Sequence, residues 1–381
     1  MFFIEYNESN INQEGYLRKR GKMKIKDKVL LRPSDFKPSF KDWQIKGVLN
    51  PAAVRLSNGK ILLYVRIAES AGQEEGSTLT CPIMSSEEEY SFYYQQIKRK
   101  DIVRMGRWGE MYLKDGSCRL PTISHFKRVI VSKDGFSVEE TEQKPAFNGM
   151  PGDGDYGVED ARIIRLYNRY LMTYVSVSIN EGVSTSLAIS RDLKNWQRKG
   201  IIFREQNKDA VIFPEKIRGK YVALHRPEGF FAFSRPSVWI SYSPDLIYWG
   251  RERSIVQPRQ GAWDHRRVGA GPPPIKTKKG WLCIYHGVKE IENKNIYSAG
   301  AFLLDLKNPE RILARSPSNR PLIEPIKDYE KTGFMENVIF PTGAVIDLNE
   351  KDLLLFCGGA DSVVSVKELQ IKDIMNSMEY Y

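Results

Sequence analysis

The sequence predicts an all-β chain, a five-bladed β-propeller with a central funnel. Two observations carry this: one layout repeated five times, and the scarcity of helical periodicity. Short apolar or alternating runs alternate with polar turns along the chain, the pattern of many strands joined tightly. Five segments share a strand, a turn with Gly or Asn, and a strongly apolar strand. They run over Asn50–Arg66, Asp160–Ser176, Phe213–Arg226, Gly271–Gly287 and Thr342–Gly358. A second repeat supports the first. Ser190-Arg191-Asp192-Leu193 with Trp196 recurs as Ser243-Pro244-Asp245-Leu246 with Trp249, and more weakly as Ser132-Lys133-Asp134-Gly135. Each copy reads as the outer turn of a unit. Units of roughly 50 to 70 residues with about four strands each are the signature of propeller blades.

Taken in chain order, residues 1–45 read as an N-terminal extension packing on the propeller, and residues 46–365 as the propeller itself. The first repeat interval is oversized and holds an insertion at about 70–125. It includes the charged stretch Glu87–Arg107, in which Tyr90–Arg104 is compatible with a helix; the insertion reads as a lid or an oligomer contact. Residues 366–381 read as a C-terminal short helix or tail.

Composition narrows the function. The chain has 381 residues, 41% hydrophobic and 28% charged, which excludes wholesale disorder. No apolar run approaches the roughly 18 residues of a membrane helix. The start, M-F-F-I-E-Y-N, lacks a basic n-region, so no signal peptide is expected. Four dispersed cysteines without a C-x-x-C argue against a disulfide framework or a thiolate zinc site and fit a reducing cytoplasm. With 58 basic and 47 acidic residues the formal charge is +11. That excess suits a nucleic-acid or anionic-surface binder, or an enzyme handling an anion. No nucleic-acid module is present and the cations are interleaved with acids, so neither nucleic acid nor membrane is expected as a partner. P-loop, dinucleotide, G-x-S-x-G and H-E-x-x-H motifs are absent, and four dispersed His predict no metal site.

In a propeller the equivalent positions of different repeats converge on one axis. First-strand starts bring together Asn50, Asp160, Gly271 and Thr342, with the third repeat's counterpart near Lys208 and Asp209. Second-strand ends bring Arg66, Ser176, His225 with Arg226, His286 and Asp361. Asp160 follows Gly157-Val158-Glu159. A carboxylate deep in a partly desolvated funnel is expected to have a raised pKa, which suits a general acid. Glu159 is the neighbouring candidate, but successive strand residues face opposite ways, so only one of the two is expected to point inward. Lys208, Lys216, His225 and Arg226, with Arg66 opposite, form a basic set able to hold a dianion.

The tracts G-V-E-D-A-R-I, N-K-D-A-V-I-F-P-E-K, W-D-H-R-R-V-G-A-G-P-P-P-I-K-T, W-L-C-I-Y-H-G, F-P-T-G-A-V and G-G-A-D resemble the β-mannoside phosphorylases of glycoside hydrolase family 130, in order from about Asn50 to Asp361. The resemblance implies a five-bladed propeller and inverting phosphorolysis of a β-linked mannoside to α-mannose 1-phosphate. It implies Asp160 as proton donor, acting through a mannose hydroxyl. Asn50, Arg66 and Asp361 would hold the mannose, and Lys208, Arg226 and Tyr297, with His225 nearby, the phosphate. His286 is added to the substrate-binding set by repeat equivalence alone. Inorganic phosphate is the expected co-substrate, with no cofactor, an oligosaccharide as partner and a homo-oligomer as an option.

The same family includes β-mannosidases, in which carboxylates replace the phosphate-site cations. Here H-R-P (225–227) and H-R-R (265–267) keep cations, which favours phosphorolysis, while Glu228 keeps hydrolysis open. A non-catalytic glycan-binding propeller is the reading from another class, with Trp263 and Trp281 as sugar platforms.

Overall fold

The computed structural model describes residues 23–71, 76–86, 90–107, 109–229 and 233–381; the first 22 residues of the expected N-terminal extension lie outside them, as do residues 87–89 of the insertion. The regular structure of the described chain is nearly all β. Strand β1 (Lys26–Leu31) is followed by β2 (Trp43–Arg55) and β3 (Ile61–Ala71). The insertion then forms a hairpin of β4 (Thr78–Ser86) and β5 (Ser91–Lys98). A small sheet of β6 (Ile102–Met105), β7 (Met111–Leu113) and β8 (Cys118–Arg119) completes it. β9 (Thr122–Val131) returns to pair with β3 and β10 (Val138–Thr141) pairs with β9, giving sheet I in the order β10-β9-β3-β2. Sheet II is a meander of β11 (Val158–Leu166), β12 (Arg169–Ser178), β13 (Gly182–Ser190) and β14 (Trp196–Phe203). Sheet III repeats it with β15 (Asn207–Ile212), β16 (Tyr221–Pro227), β17 (Val238–Ser243) and β18 (Gly250–Val256).

Sheet IV comprises β19 (Arg267–Ala270), β20 (Ile275–Thr277), β21 (Gly280–Ile291), β22 (Lys294–Leu304) and β23 (Ile312–Arg315). After the single-turn helix α1 (Asp328–Lys331), sheet V is built from β24 (Ile339–Ile346), β25 (Asp352–Gly359) and β26 (Val363–Gln370). Helix α2 (Ile371–Ser377) and β27 (Glu379–Tyr380), which adds to β23, end the chain. The fourth strand of sheet V is β1, paired antiparallel to β26 from Lys26 opposite Glu368.

Apolar residues on both faces of each sheet explain the packing. Five buried clusters lie between successive sheets. Tyr64 and Phe126 of sheet I meet Val158 and Met172 of sheet II. Leu166 and Leu171 meet Ile212 of sheet III. Val222 and Leu224 meet Trp281 and Phe302 of sheet IV. Leu282 and Leu303 meet Leu353 and Leu355 of sheet V. Leu354 and Phe356 of sheet V then meet Leu63 and Val65 of sheet I. Strand β2 packs against β11 and β24, and β15 against β11 and β19. Each fully buried large side chain contributes roughly 1.5–3 kcal/mol.

The repeated Ser-x-Asp-Leu segments are tight turns. The Ser190 hydroxyl accepts from the Leu193 N–H (3.0 Å), and Ser243 does the same for Leu246 (2.8 Å). The Leu193 carbonyl accepts from the Tyr64 hydroxyl, which itself accepts from Trp196 Nε1 (2.9 Å), so this turn is keyed to the neighbouring sheet.

Three expectations change. Residues 26–31, expected in an extension that packs on the sheets, are instead the edge strand of sheet V, because they complete the ladder on β26. Tyr90–Arg104 holds no α-helix: Phe92 and Tyr94, two residues apart, share one face against Trp43, a strand's period. The C-terminal helix begins at Ile371, because Val366–Gln370 complete the pairing of β26 with β25.

Candidate active site

The first strands of sheets I, II and III break register at equivalent points: between Leu49 and Ala52, Glu159 and Arg162, and Lys208 and Val211. At each break one residue takes a left-handed φ: Asn50 at 38°, Asp160 at 49° and Asp209 at 57°. Asn and Asp tolerate that conformation better than other non-glycine residues. Such a bulge lets two successive residues face one side. Glu159 and Asp160 therefore both line the same cavity, contrary to the strict alternation expected from sequence.

The cavity has a volume of about 580 Å³. Asn50, Arg66, Asp160 and Asp361 line it together with Lys208, Arg226, His286 and Tyr297. Asp160 Oδ1 accepts from Asn50 Nδ2 (2.9 Å) and Arg66 Nη1 (3.1 Å). Arg66 also donates to Glu159 Oε1 (2.6 Å), whose second oxygen takes Lys208 Nζ at 3.4 Å. Behind them buried Arg162 donates to the Asp160 carbonyl (2.5 Å) and to Asp209 Oδ1 (3.3 Å). Asp209 Oδ2 accepts from Arg226 Nε (2.6 Å) and stands 3.6 Å from His286 Nε2. Glu228 forms ion pairs with Arg226 and with Arg267 (3.6 Å for the latter).

These contacts set the charge states. Burial pushes the Asp160 carboxyl up, but Arg66, Arg162 and Lys208, with the Asn50 hydrogen bond, outweigh it and hold the group below its ordinary value. The raised pKa expected from a desolvated funnel is thus overturned by three neighbouring cations. Burial pushes Arg66 down, yet Glu159, Asp160 and Asp361 carry it above its usual value. Asp209 is held low against burial by Arg226, His286 and Arg162. Burial lowers His286 to about 3, so its ring, 4.4 Å from that of Phe340, is neutral near pH 7.

His225 is not brought to the cavity. As the strand neighbour of Arg226 it faces the other way. Its ring lies between Asn207 (2.9 Å) and Ser241 (3.0 Å) and stacks on Phe203 at 4.2 Å. Burial lowers it to about 3. Lys216 lies over the Tyr221 ring, away from the cavity. Trp263 and Trp281 are buried in the core between sheets III and IV and are not exposed platforms.

From the sequence Arg267 enters only as part of the H-R-R tract, and Asp209 has no role. Arg267 opens β19. The insertion also reaches the wall, through Glu110, Tyr112, Cys118 and Arg119. Among the described residues no group of three His, Cys, Asp or Glu is placed to hold a metal ion, and no helix is long and apolar enough to cross a membrane.

A family model described as beta-1,4-mannooligosaccharide phosphorylase matches residues 91–380, which places the chain among the carbohydrate-active enzymes. The chain belongs to glycoside hydrolase family 130. It is 34% identical over 362 residues to a beta-1,2-mannobiose phosphorylase of Listeria innocua, covering 93% of this chain and 98% of that one. To a 1,2-beta-oligomannan phosphorylase of a Thermoanaerobacter species it is 39% identical over 64% of this chain and 78% of the relative. The solved beta-1,2-mannobiose complex of the Listeria innocua enzyme superposes with a TM-score of 0.82 at 32% identity, over 93% of this chain and 99% of that one.

Proposed function

We propose that the protein is an inverting phosphorylase that cleaves a β-linked mannoside with inorganic phosphate, releasing α-mannose 1-phosphate and a shortened acceptor. The fold that serves it is a five-bladed β-propeller, supported by five sheets whose apolar clusters run from each to the next and from sheet V back to sheet I. The observation that carries the reading is one cavity holding a carboxylate, Asp160, beside the cations Lys208, Arg226 and Arg267. Its volume of about 580 Å³ suits a disaccharide with phosphate. The names of the two relatives above favour a β-1,2 linkage.

Asn50, Arg66 and Asp361 hold the mannose ring over Asp160. Lys208, Arg226 and Tyr297 orient phosphate, with Arg267 and neutral His286 beside them. A phosphate oxygen attacks the anomeric carbon as the glycosidic C–O bond breaks. The leaving oxygen takes its proton from Asp160 through a mannose hydroxyl. Asp160 must first gain that proton. A phosphate dianion near Lys208 offsets part of the field that keeps the carboxyl ionised, so filling the site shifts Asp160 toward the acid form.

The test is product analysis of a β-mannoside panel with and without phosphate. Mannose 1-phosphate should form only when both substrates are present; equal free mannose without phosphate overturns the reading. Arg226→Ala should raise the KM for phosphate far more than that for the sugar. A second reading, β-mannosidase, is favoured by one observation: the Glu228 carboxylate also lines the cavity, where it is able to activate water.

A further inference from the structure

A second cavity of about 600 Å³ adjoins the first, and Glu228 and Arg267 line both. Its wall is polar. Arg235, Arg266 and Arg267 face it, and Arg107 of the insertion reaches its rim, donating to the Asn293 carbonyl at 3.0 Å. Arg235 donates to the His265 carbonyl, Arg266 pairs with Glu290, and Arg267 shares Glu228 with Arg226. The guanidiniums crowd one another: burial first, then Arg267, Arg107 and Arg235, hold Arg266 below its ordinary value, with Tyr297 opposing.

Such a wall is poorly suited to a sugar. Among the described residues it is lined by no Phe, Tyr or Trp, the His265 imidazole is its one ring, and Pro236 is its one apolar side chain. It is well suited to an oxyanion, because guanidinium forks pair with phosphoryl oxygens in a way that hydroxyls do not reproduce. Glu228 stands at the partition, its carboxylate shared between a cation of each cavity.

We propose that this second cavity is an accessory site for a phosphoryl dianion, held by Arg235, Arg266 and Arg267 and passed to Arg226 as Glu228 gives way. The proposal deepens the phosphorylase reading and rests on it for the identity of the anion. Two species carry that chemistry, inorganic phosphate arriving and the phosphoryl end of the sugar 1-phosphate leaving. A side route of this kind lets phosphate reach its pole while the oligosaccharide fills the main cavity, so the two substrates need not compete for one mouth.

The experiment compares the wild type with Arg235→Ala/Arg266→Ala. Calorimetric titration with inorganic phosphate alone should show two classes of site in the wild type and one in the variant. In the degradative direction kcat/KM for phosphate should fall about tenfold with a flatter salt dependence, while the KM for the mannoside moves less than twofold. In the synthetic direction a matching fall in kcat/KM for sugar 1-phosphate assigns the site to both species; a fall for phosphate alone assigns it to entry only. The Arg235→Lys/Arg266→Lys variant should recover much of the loss and guards against a folding defect. A single class of site in the wild type overturns the proposal, as does a folded variant with unchanged phosphate binding and salt dependence. Free mannose released without phosphate, alongside two phosphate classes, instead removes the phosphorylase reading and leaves the anion site standing.

Discussion

Two adjacent carboxylates face one cavity, and paired substitutions decide which carries the proton. Asp160→Asn keeps the left-handed backbone at φ 49°, which Asn tolerates, and keeps an oxygen for Asn50 and Arg66. Arg66 is not orphaned, because Glu159 holds it at 2.6 Å. The folding cost should therefore be about 1 kcal/mol. What is lost is the ionisable proton, and general acid catalysis contributes roughly 10²–10⁴ in rate, about 3–5 kcal/mol of barrier. Glu159→Gln removes one carboxylate from Arg66 and the 3.4 Å contact to Lys208, and should lower kcat by less than about tenfold. The assay is the initial rate of sugar 1-phosphate formation at saturating phosphate and β-mannobiose, with thermal melts of each variant. An Asp160→Asn protein that melts normally and keeps a tenth of wild-type kcat refutes the assignment. A greater loss in Glu159→Gln than in Asp160→Asn moves the acid to Glu159.

Acid should weaken the fold through two buried histidines. His225 and His286 titrate near about 3 when folded, against about 6.5 when unfolded, so the unfolded chain binds the extra protons between those values. Stability then falls as pH drops through 6.5, by about 2 kcal/mol per histidine at pH 5, and His225→Gln should show roughly half the loss in urea midpoints between pH 7 and 5; an unaltered slope contradicts this. Asp209→Ala leaves Arg162 and Arg226 facing each other without their shared carboxylate and should cost about 3–5 kcal/mol, read by chemical denaturation. Gly157 has φ +94°, and a Cβ there would lie 2.1 Å from the Ser124 carbonyl oxygen. Gly157→Ala should cost about 3 kcal/mol and lower activity by moving Glu159 and Asp160; a melt and rate within error of wild type count against the tight packing of that turn.

Much of this architecture was readable from apolar periodicity. Four of the five strand-turn-strand segments fall on β2/β3, β11/β12, β20/β21 and β24/β25, since a strand buried on both faces must be apolar throughout, while the third, Phe213–Arg226, holds β16 alone because β15 ends at Ile212. Converging first-strand starts brought Asn50 and Asp160 to one cavity, as expected. The errors share a cause. Alternation predicted that one of Glu159 and Asp160 faces inward, and a bulge, which depends on cross-strand register and leaves no mark in composition, turned both inward. For His225 and Arg226, which lie on unbulged strand, alternation held and separated the pair that the basic set had joined. The Asp160 pKa followed charges that burial reasoning alone does not weigh, Arg66 and Lys208 brought from distant segments and Arg162 from two residues along the same strand. Phe92 and Tyr94 in the insertion were open to two periods until β4 supplied a partner.

Strand β1 has a consequence for how the molecule assembles. Its partner β26 lies roughly 340 residues further along the chain. Made before its partner, β1 has to wait for the intervening sheets to be made before it meets β26. Loop closure on this scale is entropically costly and slow, so the pairing of β1 with β26 should lag the hairpins within each sheet. Until then the outer edge of β26, with Val364 and Val366, is an unpaired template for any extended segment nearby. Synthesis in the crowded cell thus leaves a nascent chain with sheets I to III finished and one open seam, the point at which neighbouring copies are most able to exchange strands.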